Sequence, residues 1–342
     1  YCDDADADAR IETTQNSVDS IAIETNRSLL DLARRRLRAS RDHSDTVSLH
    51  CIGSRICLPF SGRMVRLPDP FRLYGQSRQK RISWVRRTSH RYGLGTISGS
   101  GRTKIPLVLL HGFLEDMTIW DDFKEGLGKE RQIICIDLPG HGRSKDFSGS
   151  HSLHEMANIV AAVLNDVGIQ QISLAGHSMG GYVGLEFLDN FPMMLKDIML
   201  INSTPSEDTV ERKKIRDRSI DIVATNKDAF ISMAISNLFS AESREVFKDE
   251  IDHLKQAAFR LNIENIQQTL KAMRDRKDHT ATLKKFKGGK TIVAGKDDTL
   301  IEISDIQKLA IATNSDLTIL EGGHNSWMEM SEKLYKNLLF ID

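Results

Sequence analysis

Residues 172–184 read Ile-Ser-Leu-Ala-Gly-His-Ser-Met-Gly-Gly-Tyr-Val-Gly. An apolar run, a glycine-flanked serine and a helix-compatible pattern follow one another, which predicts a strand, a sharp turn and a helix. A serine hydroxyl is a poor nucleophile, so it has to project where a base can reach it. Gly176 and Gly180 would relieve the crowding around a strained turn at Ser178. The stretch therefore predicts a catalytic Ser178, with a structural glycine-rich turn as the other interpretation.

The helix that follows this turn suggests where negative charge would be stabilised. Its first amide, at Met179, and the positive end of its dipole would point to the place where an oxyanion forms. Met179 is therefore a candidate oxyanion-hole residue.

Apolar runs alternate with helical patterns on both sides of this stretch. Such runs are typical of strands buried on both faces, and their alternation with helices of 10–15 residues predicts a mostly parallel, doubly wound α/β sheet. The predicted strands cover residues 105–110, 132–136, 198–201, 291–294 and 317–320, with an edge strand or hairpin within 92–100.

The alternation stops between residues 205 and 287, where the pattern is helical throughout, with helices expected near residues 210–224, 228–239, 243–259 and 263–276. A helical insertion between two strands has to pack somewhere, and over the carboxyl ends of the strands it would form a cap. Ordinary packing is the favoured interpretation of its apolar side chains, and an acyl or aromatic pocket is the other. These side chains are Phe230, Met233, Ile235, Leu238, Phe239 and Met273.

A nucleophilic serine needs a base and an acid that orients the base, and on a parallel sheet all three should follow carboxyl ends of strands. His324 follows the last predicted strand in a glycine-bounded loop, and Asp297 and Asp298 follow the strand before it. The chain order of serine, acid and histidine is the order of α/β-hydrolases and differs from that of chymotrypsin-like and subtilisin-like proteases.

Residues from about 92 to 342 resemble an α/β-hydrolase with an inserted helical cap. The resemblance rests on five motifs in the family's order: Leu110-His-Gly-Phe113, Asp137-Leu-Pro-Gly-His-Gly-Arg-Ser144, the turn at Ser178, Gly295-Lys-Asp-Asp298, and Gly323-His324. We therefore expect the α/β-hydrolase core to cover residues 91–204 and 288–342, and the cap to cover 205–287.

The resemblance also implies roles for individual residues. It implies that the amide of Phe113 joins that of Met179 in the oxyanion hole, and it selects Asp298 as the triad acid, with Asp297 as an alternative. Some relatives carry the acid after the strand that follows the nucleophile, but Asn202 stands there in this chain.

These residues predict a serine hydrolase of the carboxylesterase type that acts on esters of small to medium acyl chains. The serine nucleophile sets the chain apart from the haloalkane dehalogenases and epoxide hydrolases of this fold, which use aspartate. A lyase like the menaquinone-pathway synthase is an alternative, although Tyr182 replaces the arginine that binds carboxylates there. C–C bond hydrolases, acyl-carrier methyl esterases and a non-catalytic ligand receptor are further alternatives.

Other residues of these motifs have simpler interpretations. His111 and His141 are expected to organise loops, Trp327 is expected to pack behind the histidine loop, and the position of His177 before the serine requires no chemistry of it.

Composition limits the cofactors and partners. The net charge is zero, although the part up to Lys104 carries +8 and the remainder −8, so no whole-chain argument for a nucleic-acid partner holds. The four cysteines lack metal-ligand spacing, and no phosphate-binding loop is present. We expect no cofactor and no metal. The expected partner is a small-molecule ester, and the oligomeric state is open.

The sequence also bears on location. It contains no apolar run of about 18 residues, so we expect no membrane span. Its first residues are acidic and unlike a secretory signal, so we expect a cytoplasmic protein.

Residues 1–90 differ from the rest, because arginine outnumbers lysine there and the reverse holds after Lys104. A helix is predicted over residues 28–41, and loop or disorder over 48–84. Three interpretations compete for this segment, which we expect to be disordered or non-native: a fused artefact, a flexible basic extension and a small partner-binding domain.

Overall fold

The computed structural model describes residues 96–99 and 104–341, together with the backbone of three strands between residues 50 and 66. The chain divides into two compact units between Ser77 and Arg78.

The strands of the first unit are β1 (His50–Ile52), β2 (Arg55–Phe60) and β3 (Arg63–Arg66), and they form an antiparallel sheet in that order. The prediction of loop over residues 48–84 is wrong for these strands. Each pair is separated in the sequence by two residues that include a glycine, as hairpin connections require, and the runs between carry β-forming residues. The helix predicted over 28–41 lies outside the described residues.

The second unit contains a seven-stranded sheet. Its strands are β4 (Thr96–Ser98), β5 (Leu107–Leu110), β6 (Ile133–Ile136), β7 (Ile172–His177), β8 (Leu195–Ile201), β9 (Gly289–Gly295) and β10 (Asp316–Leu320). Their order across the sheet is β10-β9-β8-β7-β5-β6-β4, and all neighbours are parallel except the edge strand β4, which is antiparallel to β6. The predicted mostly parallel sheet is confirmed.

Helices cover both faces of the sheet, which explains why its central strands are apolar throughout. These helices are α1 (Asp121–Leu127), α2 (Leu153–Asp166), α3 (Met179–Asn190), α10 (Ile303–Thr313), α11 (Ser326–Glu329) and α12 (Ser331–Leu339). Alternate residues of β5 enter two different clusters: Val108 and Leu110 pack with α2 and α3, whereas Leu107 and Leu109 pack with α1 and α12. The sheet therefore separates two hydrophobic cores.

Six helices lie between β8 and β9, in the segment predicted to be all helical. They are α4 (Val210–Thr225), α5 (Lys227–Ser236), α6 (Ala241–Val246), α7 (Lys248–Ala258), α8 (Ile263–Arg274) and α9 (Thr280–Lys285). The single helix expected near residues 243–259 is two helices, because the backbone of Phe247 leaves the helical region between α6 and α7. We call residues 205–287 the helical insertion.

The helical insertion contacts loops that follow the carboxyl ends of the strands. The hydroxyl of Thr299, after β9, donates to the carbonyl of Asn237 (3.0 Å). Most of the apolar side chains singled out in the insertion are buried in the cluster that also holds α2 and α3, whereas Met233 is half exposed. They therefore pack with the helices that cover the sheet, which agrees with the interpretation of ordinary packing.

Candidate active site

Loops that leave the carboxyl ends of β5, β7, β8, β9 and β10 meet at one edge of the sheet. We call residues 111–115 the β5 loop and residues 321–325 the β10 loop. Parallel strands deliver these loops to the same edge, where ligands of open α/β sheets bind. Ser178, Asp298 and His324 all lie in this group of loops.

Ser178 occupies a strained turn between β7 and α3. Its φ is +49° and its ψ is −112°, a conformation that non-glycine residues rarely adopt. The backbone amide of Ser178 donates to the carbonyl of Ile201 on β8 (2.9 Å), which fixes the turn to the neighbouring strand.

The flanking glycines permit this close packing. A Cβ atom on Gly180 would lie 2.5 Å from the carbonyl oxygen of Leu110, and one on Gly176 would overlap the backbone of Gly180. The G-x-S-x-G spacing thus follows from the space available around the turn.

The structure brings three predicted residues into one hydrogen-bonded chain. The hydroxyl of Ser178 lies 2.9 Å from Nε2 of His324, and Nδ1 of His324 lies 2.8 Å from Oδ2 of Asp298. Because a carboxylate oxygen only accepts, Nδ1 carries the proton of the neutral ring, and Nε2 accepts from the serine. This tautomer is the one that a general base at Nε2 requires.

Asp298 and Asp297 lie in different surroundings. The side chain of Asp298 is buried, and its Oδ1 accepts from the backbone amides of Leu300 (2.8 Å) and Ile301 (3.2 Å). Burial would raise the pKa of Asp298, but the nearby His324 and the hydrogen bonds to its carboxylate outweigh burial and hold this pKa below its ordinary value. Asp297 is exposed. The geometry thus favours Asp298 as the partner of the histidine.

Asn202 has a role that sequence reasoning missed. It was considered as the place of an alternative acid, but its Nδ2 donates to Oδ2 of Asp298 (3.0 Å) and to the carbonyl of Gly323 (3.1 Å). The side chain is buried and its φ is +46°. An asparagine after β8 thus ties the acid to the β10 loop, and its position at a strand end was the available signal.

Phe113 lies in the β5 loop, and Met179 lies in the first turn of α3. Met179 is the first residue of α3, so its amide has no acceptor inside the helix. Phe113 follows Gly112 in the β5 loop, and in the part of the chain that the structure describes its amide donates no hydrogen bond to another protein group.

His111 and His141 organise loops, as expected. Nδ1 of His111 bonds the carbonyl of Gly112 (2.8 Å), and its Nε2 accepts from the amide of Leu138 (2.9 Å), which links the β5 loop to the chain after β6. His141 is buried, and burial lowers its pKa to about 3. This ring therefore stays neutral near neutral pH.

Glu115, which the motifs did not single out, lies buried next to the site. Its carboxylate accepts from the amide of Gly112 (2.6 Å), from Nε1 of Trp327 (3.3 Å) and from Nδ1 of His177 (2.9 Å). Nε2 of His177 faces the carbonyl of His324 at 3.0 Å. The three loops that carry Phe113, Ser178 and His324 thus meet at one carboxylate.

Two cavities lie outside the hydrogen-bonded chain of Ser178, Asp298 and His324. The larger, of about 750 Å³, lies between residues 146–154 and α8, and none of those three residues lines it. The smaller, of about 300 Å³, lies between residues 240–247 and the β10 loop.

Among the described residues, no group of three or more histidine, cysteine, aspartate or glutamate side chains could hold a metal ion. Within the same residues, no helix has the length and apolarity needed to cross a bilayer.

A doubly wound sheet with a serine turn after β7 and a histidine after β10 defines the class of α/β-hydrolases. The family model described as the alpha/beta hydrolase fold matches residues 105–330, so the chain belongs to this family.

The chain has low sequence identity to one curated relative that it matches over most of its length. The chain is similar to the dihydrolipoyllysine-residue acetyltransferase component of the acetoin cleaving system of Pseudomonas putida, with 27% identity over 253 residues. That match covers 71% of this chain and 64% of the relative, so the similarity spans less than two thirds of that protein.

Matches to two solved structures cover a larger share of the matched protein. A thermophilic esterase from Thermogutta terrifontis is 26% identical, with a TM-score of 0.66 and coverage of 71% of this chain and 90% of that one. The enol-lactonase from Burkholderia xenovorans LB400 has the same TM-score at 18% identity, covering 71% and 94% of the two chains, and supports the fold alone.

Proposed function

We propose that the protein is a serine hydrolase that cleaves carboxylic esters of small to medium acyl chains through an acyl-enzyme intermediate. The observation that carries this proposal is the chain of two hydrogen bonds from Ser178 through His324 to Asp298, at 2.9 and 2.8 Å. The similarity to the Thermogutta terrifontis esterase supports the same reaction class.

In the acylation step, Oγ of Ser178 attacks the ester carbonyl while Nε2 of His324 takes the hydroxyl proton. Asp298 holds the ring in the required tautomer and stabilises the imidazolium that forms. His324 then gives the proton to the departing alkoxide. In the second step, Nε2 of His324 takes a proton from a water molecule that attacks the acyl carbonyl. It returns this proton to Oγ of Ser178 as the bond between the acyl group and Oγ breaks and the acid leaves.

The amides of Phe113 and Met179 donate to the oxyanion of each tetrahedral intermediate. One such donor is worth about 10²–10³ in kcat in other serine hydrolases. Because both groups belong to the backbone, their orientation depends on the β5 loop and on the start of α3. The mechanism requires no cofactor.

The helical insertion acts as a cap in this proposal, and the sheet domain comprises residues 91–204 and 288–342. The insertion contacts the loops after β9, which is the position from which it would limit the length of an acyl chain.

The proposal is tested by steady-state rates on p-nitrophenyl esters from acetate to palmitate, with wild type and Ser178→Ala in parallel. We expect turnover that is fastest for short or medium chains and is lost in the variant. Circular dichroism shows whether the variant keeps its fold.

No turnover of any ester by a folded protein would contradict the proposal. If Ser178 then still reacts with a fluorophosphonate, the nucleophile is active but serves a lyase, a C–C bond hydrolase or a ligand receptor.

A further inference from the structure

The ring of His177 differs from those of the neighbouring histidines in its hydrogen-bond partners. Its Nδ1 faces Oε2 of Glu115 at 2.9 Å, and its Nε2 faces the backbone carbonyl of His324 at 3.0 Å. The carbonyl oxygen can only accept a hydrogen bond, and the same holds for the Glu115 oxygen when the carboxyl is ionised. A neutral imidazole carries a proton on one nitrogen alone and would leave a lone pair facing an oxygen lone pair.

The other histidines of the site have one acceptor and one donor as partners. His111 pairs a carbonyl with the amide of Leu138, and His324 pairs a carboxylate with the serine hydroxyl. These two rings fit a neutral tautomer, whereas the surroundings of His177 fit the doubly protonated imidazolium.

Glu115 is bound in a way that suits an anion. Its two oxygens accept from Gly112, from His177 and from Trp327, and no proton is needed on the carboxyl to complete these bonds. Both side chains are nearly inaccessible to solvent, at 1% exposure for His177 and 5% for Glu115. A buried charge is tolerated when it is paired and hydrogen-bonded, and removing one partner is strongly destabilising.

We propose that Glu115 and His177 are positioning residues: a permanently ionised carboxylate–imidazolium pair that fixes the β5 loop and the backbone of His324 relative to Ser178. Glu115 holds the amide of Gly112, one residue before the oxyanion donor Phe113. His177 precedes the nucleophile and holds the carbonyl of the base. The pair thereby sets the distance between the three parts of the reaction centre.

The spacing around the pair supports this role. A Cβ atom on Gly112 would lie 2.7 Å from Oε2 of Glu115 and 2.9 Å from Nδ1 of His177, so the glycine lets the loop approach both groups. The rings of His177 and His324 are 5.3 Å apart between centroids.

The ionisable groups around His177 favour its charge. Burial would lower the pKa of His177, but Glu115, the carbonyl of His324 and the more distant Asp298 outweigh burial and raise it. Burial would likewise raise the pKa of Glu115, while His177, the Gly112 amide and His111 hold it below its ordinary value.

The first test is NMR of wild-type protein labelled with ¹⁵N in its histidine rings, with His177 assigned through bonds from its backbone. We expect two ring N–H protons and two protonated-type nitrogens on His177 at pH 8.5, and a Glu115→Gln variant that loses one of these protons. A single N–H proton on wild-type His177 at that pH would overturn the proposal. This readout needs no substrate, so it separates failure of this inference from failure of the esterase proposal.

The second test rests on the proposed function and uses Glu115→Gln in ester hydrolysis. We expect kcat to fall by about 10- to 100-fold with KM within about threefold, because misplacement of about 1 Å acts on the reacting groups. Glu115→Gln should also lose activity as the pH rises, because His177 loses its charged partner and becomes neutral. A neutral ring can donate to only one of its two acceptor oxygens. A variant with wild-type kcat and an unchanged pH profile would overturn the proposal.

Glu186 and His279 provide a matched control. They form another buried pair, 3.1 Å apart and each 4% exposed, between α3 and the end of the helical insertion. We expect Glu186→Gln to lower stability while kcat and its pH profile stay as in wild type. An equal loss of kcat in this variant would show that any buried ion pair has the same effect and would contradict a positioning role for Glu115.

Discussion

Replacement of Asp298 by asparagine tests the hydrogen-bonded chain that the proposed mechanism depends on. The carboxylate accepts four hydrogen bonds, from Nδ1 of His324, from Nδ2 of Asn202 and from the amides of Leu300 and Ile301. An asparagine has one acceptor oxygen and one donor nitrogen, so it can satisfy only one side of this set.

Each orientation of the new amide impairs the site. If its oxygen stays on the two backbone amides, its NH₂ group faces two donors, and His324 has to adopt the other tautomer, which points a proton at Ser178. If the amide flips, His324 keeps its tautomer, but two hydrogen bonds are lost at about 0.5–1.5 kcal/mol each. The hydrogen bond from His324 then has a neutral acceptor in place of a charged one, which weakens it by about 1–1.5 kcal/mol.

These contributions add to about 2–4.5 kcal/mol, or a loss of about 30- to 2,000-fold in rate. The same change in a Ser-His-Asp triad costs about 10⁴ through the wrong tautomer, so the first orientation of the amide would give the larger loss. The assay is kcat/KM on a p-nitrophenyl ester of short chain, with circular dichroism to check the fold.

Asp297→Asn is the matched control, because it makes the same chemical change one residue earlier on an exposed side chain. We expect its kcat/KM to stay within about threefold of wild type, as surface substitutions usually change free energies by about 0.5 kcal/mol or less. Asp298 does not orient His324 if Asp298→Asn keeps more than a tenth of wild-type activity, or if Asp297→Asn loses as much.

Three further predictions concern neighbouring residues. Asn202→Ala removes a hydrogen bond to the charged carboxylate of Asp298, so kcat/KM should fall about tenfold. The acidic limb of the plot of kcat/KM against pH should also move to higher pH. An unchanged plot would contradict this prediction. Gly180→Ala should lower the free energy of unfolding in urea by about 1–3 kcal/mol, because the added Cβ meets a backbone carbonyl. The pKa of His141 is about 3, below the unfolded value of about 6.5. The free energy of unfolding should therefore fall as the pH drops from 6 to 4. The fall should be steeper in wild type than in His141→Gln by about 1.4 kcal/mol per pH unit. Equal pH dependence of the two proteins would contradict this prediction.

Much of the fold could be predicted because short sequence patterns specify the local structure without reference to distant residues. The apolar runs at residues 133–136 and 172–177 are buried on both faces of the sheet, and no other environment accommodates such runs as readily. The turn at Ser178 was predictable because few residues other than glycine fit its flanks.

The rest depends on contacts between distant parts of the chain. Glu115 carries no motif of its own, and its importance comes from residues 62 and 212 positions away, His177 and Trp327. Asn202 likewise acquires its role from Asp298 and Gly323. The break at Phe247 was missed because the helical pattern continues through it. The three strands between residues 50 and 66 were missed because scattered prolines and glycines concealed their short runs.

The proposed mechanism requires that Ser178 is a nucleophile activated by His324. Covalent labelling by a fluorophosphonate, with peptide mapping by mass spectrometry, reports this on folded wild type, Ser178→Ala and His324→Gln. We expect one label per chain on the peptide that contains Ser178, no label in Ser178→Ala, and much slower labelling in His324→Gln. A label on another residue, or labelling of Ser178→Ala at the wild-type rate, would contradict this mechanism.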